Sequence, residues 1–113
     1  MSGISTHILD TSLGRPAAGV QVSLEQSEGG LWRELSTQAT DVDGRVKELL
    51  PVNAVLQDGQ YRLTFYTQAY YDAMGACGLY PVVQITVTVT DVAGHYHIPL
   101  LLTANGYSTY RGS

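Results

Sequence analysis

Three histidines, one arginine and a tyrosine-rich C-terminal stretch carry most of the chemistry open to this sequence. His95 and His97 stand two apart in "HYHIPLLLT" (95–103). On a strand they share one face, about 6.6 Å apart. His7 lies in "STHILDT", where Ser5 and Leu9 would share its face and Ile4, Thr6 and Ile8 the other. Imidazole titrates near neutral pH, so such a set can take and return protons. The same three side chains could hold a metal, adventitious zinc included, with His95 and His97 as half of the site and His7 as third ligand. The plainest reading leaves them as core-edge histidines with no role. Arg45 follows the turn "DVDG" (41–44). Its guanidinium is a fork of donors suited to a carboxylate or to paired carbonyl oxygens. By position alone it is a solvated turn cation.

Other chemistries find less support. Cys77 is the single cysteine, so an intrachain disulfide and a CxxC metal site are excluded. Its surroundings, "MGACGLYP", offer no base or cation, which fits a small buried or loop thiol better than a nucleophile. No nucleophile elbow, phosphate loop or metalloprotease helix motif is present.

The elements that must position the histidines have a period of two. Val83, Ile85, Val87 and Val89 alternate with Gln84, Thr86, Thr88 and Thr90, the pattern of a half-buried strand. Val20, Val22 and Leu24 alternate in the same way, as do Tyr61, Leu63 and Phe65. With 3–9, 31–40, 44–48, 95–103 and 106–111 this predicts about eight strands, separated by Gly-, Asp-, Asn- and Pro-bearing turns. The spacing predicts an antiparallel sandwich. Residues 66–74 lack alternation and read as a short helix. In 95–103, Tyr96, Ile98, Leu100 and Leu102 would face the core, which leaves Pro99 and Leu101 beside the histidines on the other face. An antiparallel sheet commonly leaves that face wet. A second subunit covering it is the simplest account, and a loop of the same chain is the alternative.

Composition narrows the class. The 113 residues suit one domain spanning 1–113, and 44% hydrophobic against 14% charged residues is too apolar for disorder. Six Lys and Arg, scattered in a chain of net charge −4, give no footprint for nucleic acid. No apolar run reaches the roughly 18 residues of a membrane span. "MSGISTHILD" lacks a basic segment followed by an apolar one, and the final Arg-Gly-Ser is not a peroxisomal address, so the expected location is cytoplasmic.

Taken together, "THILDTSLGRPAAGVQVSL" (6–24), "DGR" (43–45), "YRLTFYT" (61–67), "YP" (80–81), "HYHIPLLL" (95–102) and "GYSTYRGS" (106–113) resemble the transthyretin-related family, on its 5-hydroxyisourate hydrolase branch. The resemblance spans nearly the whole chain. "HYHIPLLL" and the terminal "YRGS" separate that branch from transthyretin, the hormone carrier. Residues 68–80, "QAYYDAMGACGLY", depart from the family pattern, away from the motif residues. The resemblance implies an all-β, prealbumin-like sandwich of two four-stranded, mostly antiparallel sheets with one short helix. It implies a homotetramer with active sites between dimers, no cofactor, and 5-hydroxyisourate as the small-molecule substrate, opened to 2-oxo-4-hydroxy-4-carboxy-5-ureidoimidazoline in urate degradation. The family's catalytic histidines fall on His7 and His97, its arginine on Arg45, and its terminal tetrapeptide on Tyr110, Arg111, Gly112 and Ser113. His95 matches a family histidine without an assigned role.

These residues can support hydrolysis of a cyclic amide. A neutral His97 would take a proton from water and return it to the departing nitrogen. His7 would orient water or act as partner acid; the sequence leaves open which histidine is base and which acid. Arg45 would hold the carbonyl oxygens and the developing negative charge. Tyr110 and Ser113 would close the pocket on the ring, with Arg111 and Gly112 beside them. The competing function is a transthyretin-like carrier that binds aromatic small molecules without turnover.

Overall fold

The computed structural model describes residues 3–112. Its first sheet is built on β1 (Gly3–Asp10) and β8 (His95–Thr103), with β9 (Gly106–Thr109) on one side and the two-residue strands β2 (Arg15–Pro16) and β5 (Arg45–Val46) on the other. The second sheet has the order β4 (Leu31–Ala39), β3 (Gln21–Glu28), β6 (Gly59–Phe65) and β7 (Val83–Val89). The core lies between them. Ile4 and Ile8 of β1, Val22 and Leu24 of β3, Leu63 and Phe65 of β6, and Leu100 and Leu102 of β8 all face inward and are buried. Each such aliphatic or aromatic side chain contributes about 1.5–3 kcal/mol on leaving water.

The alternation predicts these faces. Tyr96, Ile98, Leu100 and Leu102 are buried as expected, and Tyr61, Leu63 and Phe65 likewise. The helix α1 (Thr67–Ala73) falls inside the predicted 66–74. It is anchored through its tyrosines. The Tyr70 hydroxyl donates to the buried Asp10 carboxylate at 2.8 Å, and Tyr71 donates to the Thr103 carbonyl at 3.0 Å.

Three features add detail to the expected, mostly antiparallel sandwich. The pairing of β1 with β8 is parallel, Gly3 opposite His95 through Asp10 opposite Leu102, while every other pairing is antiparallel. The first sheet has five strands once β2 and β5 are counted, and β5 covers two residues of the predicted 44–48. The terminal strand stops at Thr109, short of the predicted 111. Pro99 accounts for that stop. Leu100 stands opposite Thr109 and His97 opposite Gly112 in one register, so Pro99 falls where the next ladder bond needs an N–H it lacks. The ladder breaks there and resumes as a single bridge, with Gly112 N donating to the His97 carbonyl at 2.8 Å.

Candidate active site

Strand β1 sits between two copies of one turn. "DVDGR" (41–45) and "DVAGH" (91–95) both read Asp-Val-x-Gly followed by a cationic or titratable residue. In both, the Asp carboxylate accepts the N–H two residues on, from Asp43 at 2.9 Å and from Ala93 at 3.0 Å. In both, the Gly N–H donates to the Asp carbonyl, at 2.9 and 3.0 Å. These are Asx turns, which end one segment and aim the next. The glycine carbonyls then accept from β1: Gly44 from Ile8 at 2.7 Å and Gly94 from Gly3 at 3.3 Å. One turn delivers Arg45 onto β1 and the other delivers His95 and His97. Neither the duplication nor its consequence is apparent from periodicity, because each turn alone is an ordinary turn signal.

The first turn tolerates only glycine at its fourth position. Gly44 has φ +74°, and a Cβ there would lie 2.4 Å from the Ile8 carbonyl oxygen. Asp41 Oδ1 also accepts the Arg45 N–H at 2.9 Å. That bond, with a lesser one from Asp43, holds the Asp41 carboxyl below its ordinary range. The arginine backbone is therefore fixed while its side chain stays exposed.

The register brings the predicted residues close. His7 is opposite Arg45 on one side and Pro99 on the other, and Ser5 is opposite His97. Arg45, His97, Ser5, Thr6, Val46 and Lys47 line one cavity of about 150 Å³. His97 is half-buried. Desolvation holds its imidazole below the ordinary value of 6.5, and positive charge at Arg45, His7 and His95 pushes the same way. At neutral pH His97 is thus an uncharged base with a cation nearby. That is the pairing amide hydrolysis needs: a proton acceptor for water and a donor fork for the carbonyl oxygen.

Two of the expected groupings are not brought together within one chain. Among the described residues no three His, Cys, Asp or Glu side chains gather as a metal's ligands, so the zinc site on His7, His95 and His97 is not formed. His95 Nε2 and His97 Nδ1 both turn onto the Ser5 hydroxyl, each at 2.8 Å, and His7 stands two residues further along β1. Tyr110 does not line the cavity of His97 and Arg45. With Arg111 it borders a separate hollow of about 330 Å³ between β7 and the terminal segment, beside Thr86, Thr88 and Tyr96. Ser113 lies outside the described residues.

The rest of the terminal tetrapeptide does reach the histidines. The Arg111 guanidinium stacks on the Tyr96 ring at 4.2 Å and donates to the His95 carbonyl at 3.4 Å. Gly112 lies against the His97 ring: a Cβ there would come 2.5 Å from His97 Cδ2. Gly112→Ala is therefore expected to displace the ring and lower kcat about tenfold or more, since small misplacements of catalytic groups cost up to about 10². Thermal unfolding should change little, because the contact with the His97 ring lies outside the buried core. Wild-type kcat in this variant would remove Gly112 from the site. Cys77 is exposed, as a loop thiol would be, and lies elsewhere, on a cavity of about 480 Å³ with Asp10, Arg15 and Tyr71.

Comparison with known proteins agrees with this fold. The model of the HIUase/Transthyretin family matches residues 4–112. The chain is 44% identical over 110 residues to a 5-hydroxyisourate hydrolase of Salmonella dublin, covering 97% of this chain and 80% of the relative. The solved 5-hydroxyisourate hydrolase of Klebsiella pneumoniae superposes with a TM-score of 0.85 at 40% identity, covering 100% of this chain and 94% of that one. Transthyretin from Sparus aurata superposes with a TM-score of 0.90 at 28% identity, covering 99% and 97%. The fold is common to the 5-hydroxyisourate hydrolase and the transthyretin, whereas sequence identity is higher to the 5-hydroxyisourate hydrolases, and the chain belongs to the HIUase/Transthyretin family.

Proposed function

We propose that this chain hydrolyses 5-hydroxyisourate in purine degradation, with His97 as the proton-transferring base and Arg45 as the oxyanion partner. The observation that carries the reading is the neutral His97 sharing one cavity with Arg45, in a chain 40% or more identical to several 5-hydroxyisourate hydrolases. Water bound between them loses a proton to His97 as its oxygen attacks the ring carbonyl carbon. Arg45 stabilises the oxyanion that forms. The C–N bond then breaks and His97 returns the proton to the nitrogen. His7, paired with Arg45 across β1 and β5, orients the water. No covalent intermediate and no cofactor enter.

A homotetramer completes the site in this reading. One chain leaves Tyr110 in the β7 hollow and the cavity of His97 open, so a second subunit would supply the missing wall and the covering of the Leu101 face. The location that fits is the cytoplasm; among the described residues no helix is long and apolar enough to cross a membrane. A carrier would bind substrate-like aromatics saturably and leave them unchanged. Incubation with 5-hydroxyisourate separates the two: the enzyme converts it catalytically, whereas a carrier only retains it.

A further inference from the structure

Ser5 is the residue between the two histidines of β8, and the hydrolase reading above gives it no part. It is buried, 6% exposed, on the face of β1 that carries His7. Its single Oγ stands 2.8 Å from His95 Nε2 and 2.8 Å from His97 Nδ1. A hydroxyl has one proton to donate and lone pairs to accept with. Two neutral imidazoles cannot both accept from it, so at least one of them donates to it. Among the described residues no hydrogen bond is made by His97 Nε2, and no buried side-chain nitrogen or oxygen is left without a partner. The free nitrogen of the His97 ring is therefore Nε2.

We propose that Ser5 is a positioning residue of the active site: it accepts the N–H of His97 Nδ1, donates its own O–H to His95 Nε2, and so keeps the lone pair of His97 on Nε2. The tautomer of a histidine is set by the bond its other nitrogen makes, and here that bond is to Ser5. The chain also conducts a proton. When His97 Nε2 takes a proton from water, the Nδ1 proton moves to Ser5 Oγ as the Ser5 proton moves to His95 Nε2. The positive charge then rests on exposed His95, away from Arg45. The reverse shift restores the Nδ1 proton as Nε2–H goes to the leaving nitrogen. Each atom regains its starting proton count and no electron is transferred. The other charged or titratable groups around the pair are Arg45, Lys47, His7, Arg111 and Glu48. Arg45 lines the His97 cavity, whereas the Glu48 carboxylate lies at Gly3, the register partner of His95, which favours moving the charge outward to His95 and offsets the Arg111 guanidinium at the His95 carbonyl.

This inference rests on the hydrolase reading for its chemistry but not for its geometry, and its test separates the two. Nitrogen-15 NMR of the imidazoles above their titration range should show His97 protonated at Nδ1 in the wild type. A predominant Nε2–H tautomer would overturn the proposal whatever the activity. Ser5→Ala, with its fold checked by circular dichroism, should mix the tautomers and lower kcat about 10–100-fold with little change in KM, by analogy with the range found for partners that orient metal-ligating histidines. Ser5→Thr, which keeps the hydroxyl, should recover most of that loss. Wild-type kcat in Ser5→Ala would overturn the proposal. A wild-type protein without turnover would sink the hydrolase reading, and the tautomer would still decide the place of Ser5.

Discussion

His97→Ala is expected to lower kcat by about 10²–10⁴, the usual worth of a positioned acid–base group, while the sandwich stays folded. The imidazole faces away from the core, so its loss opens a cavity that is already solvent-linked rather than a void between the sheets. The core side of β8 is held by Tyr96, Ile98, Leu100 and Leu102, which the substitution leaves alone. The pH dependence adds a second check. Burial and the neighbouring cations depress the His97 pKa, so the neutral base persists below pH 6.5. The acid limb of kcat/KM should therefore fall with a midpoint under 6.5, and His97→Ala should erase that limb. The same depression acts on stability. Its contribution is present in full above the unfolded value of 6.5 and is lost as pH falls through the lower folded value. A limb centred above 6.5, or wild-type turnover without the imidazole, would contradict the assignment.

Gly44→Ala should be the most damaging single change to the scaffold of the site. The backbone at φ +74° disfavours any side chain, and the new Cβ would collide with the Ile8 carbonyl, 2.4 Å away, and crowd Pro16 Cβ at 3.1 Å. The collision is with backbone and cannot be relieved by a rotamer change. We expect a loss of about 2–4 kcal/mol in urea unfolding, together with lower activity as Arg45 shifts. Gly14→Ala is the control. Gly14 has φ +68° with nothing within 4 Å of the built Cβ, so it should show the conformational term alone, about 1–2 kcal/mol. Equal losses in the two variants would mean that the turn yields, and that Arg45 is not rigidly delivered.

Much of this architecture is legible in the sequence because burial follows a period of two. The alternation of 61–65 and 95–102 marks the core faces, and it also sets His7, His95 and His97 off the core. The interrupted alternation of 66–74 marks the helix. What periodicity does not encode is which strand lies beside which. The parallel pairing of β1 with β8 joins positions about ninety residues apart, and Ser5 meets His95 and His97 only through it. Ser5 could have been noticed as a small polar residue on the His7 face of a buried strand, but nothing local named its partners. Tyr110 illustrates the converse. Its place in the terminal motif suggests a site residue, and within one chain the segment past Pro99 sets Tyr110 towards β7 while Gly112 meets His97, so that role is one for the assembled protein to test.

The enzyme reading stands on turnover. 5-Hydroxyisourate generated from urate by urate oxidase decays spontaneously, and its ultraviolet absorbance reports the loss. Adding this protein should accelerate that decay in proportion to its concentration, with many substrate molecules consumed per chain. A decay no faster than the spontaneous one would contradict the account.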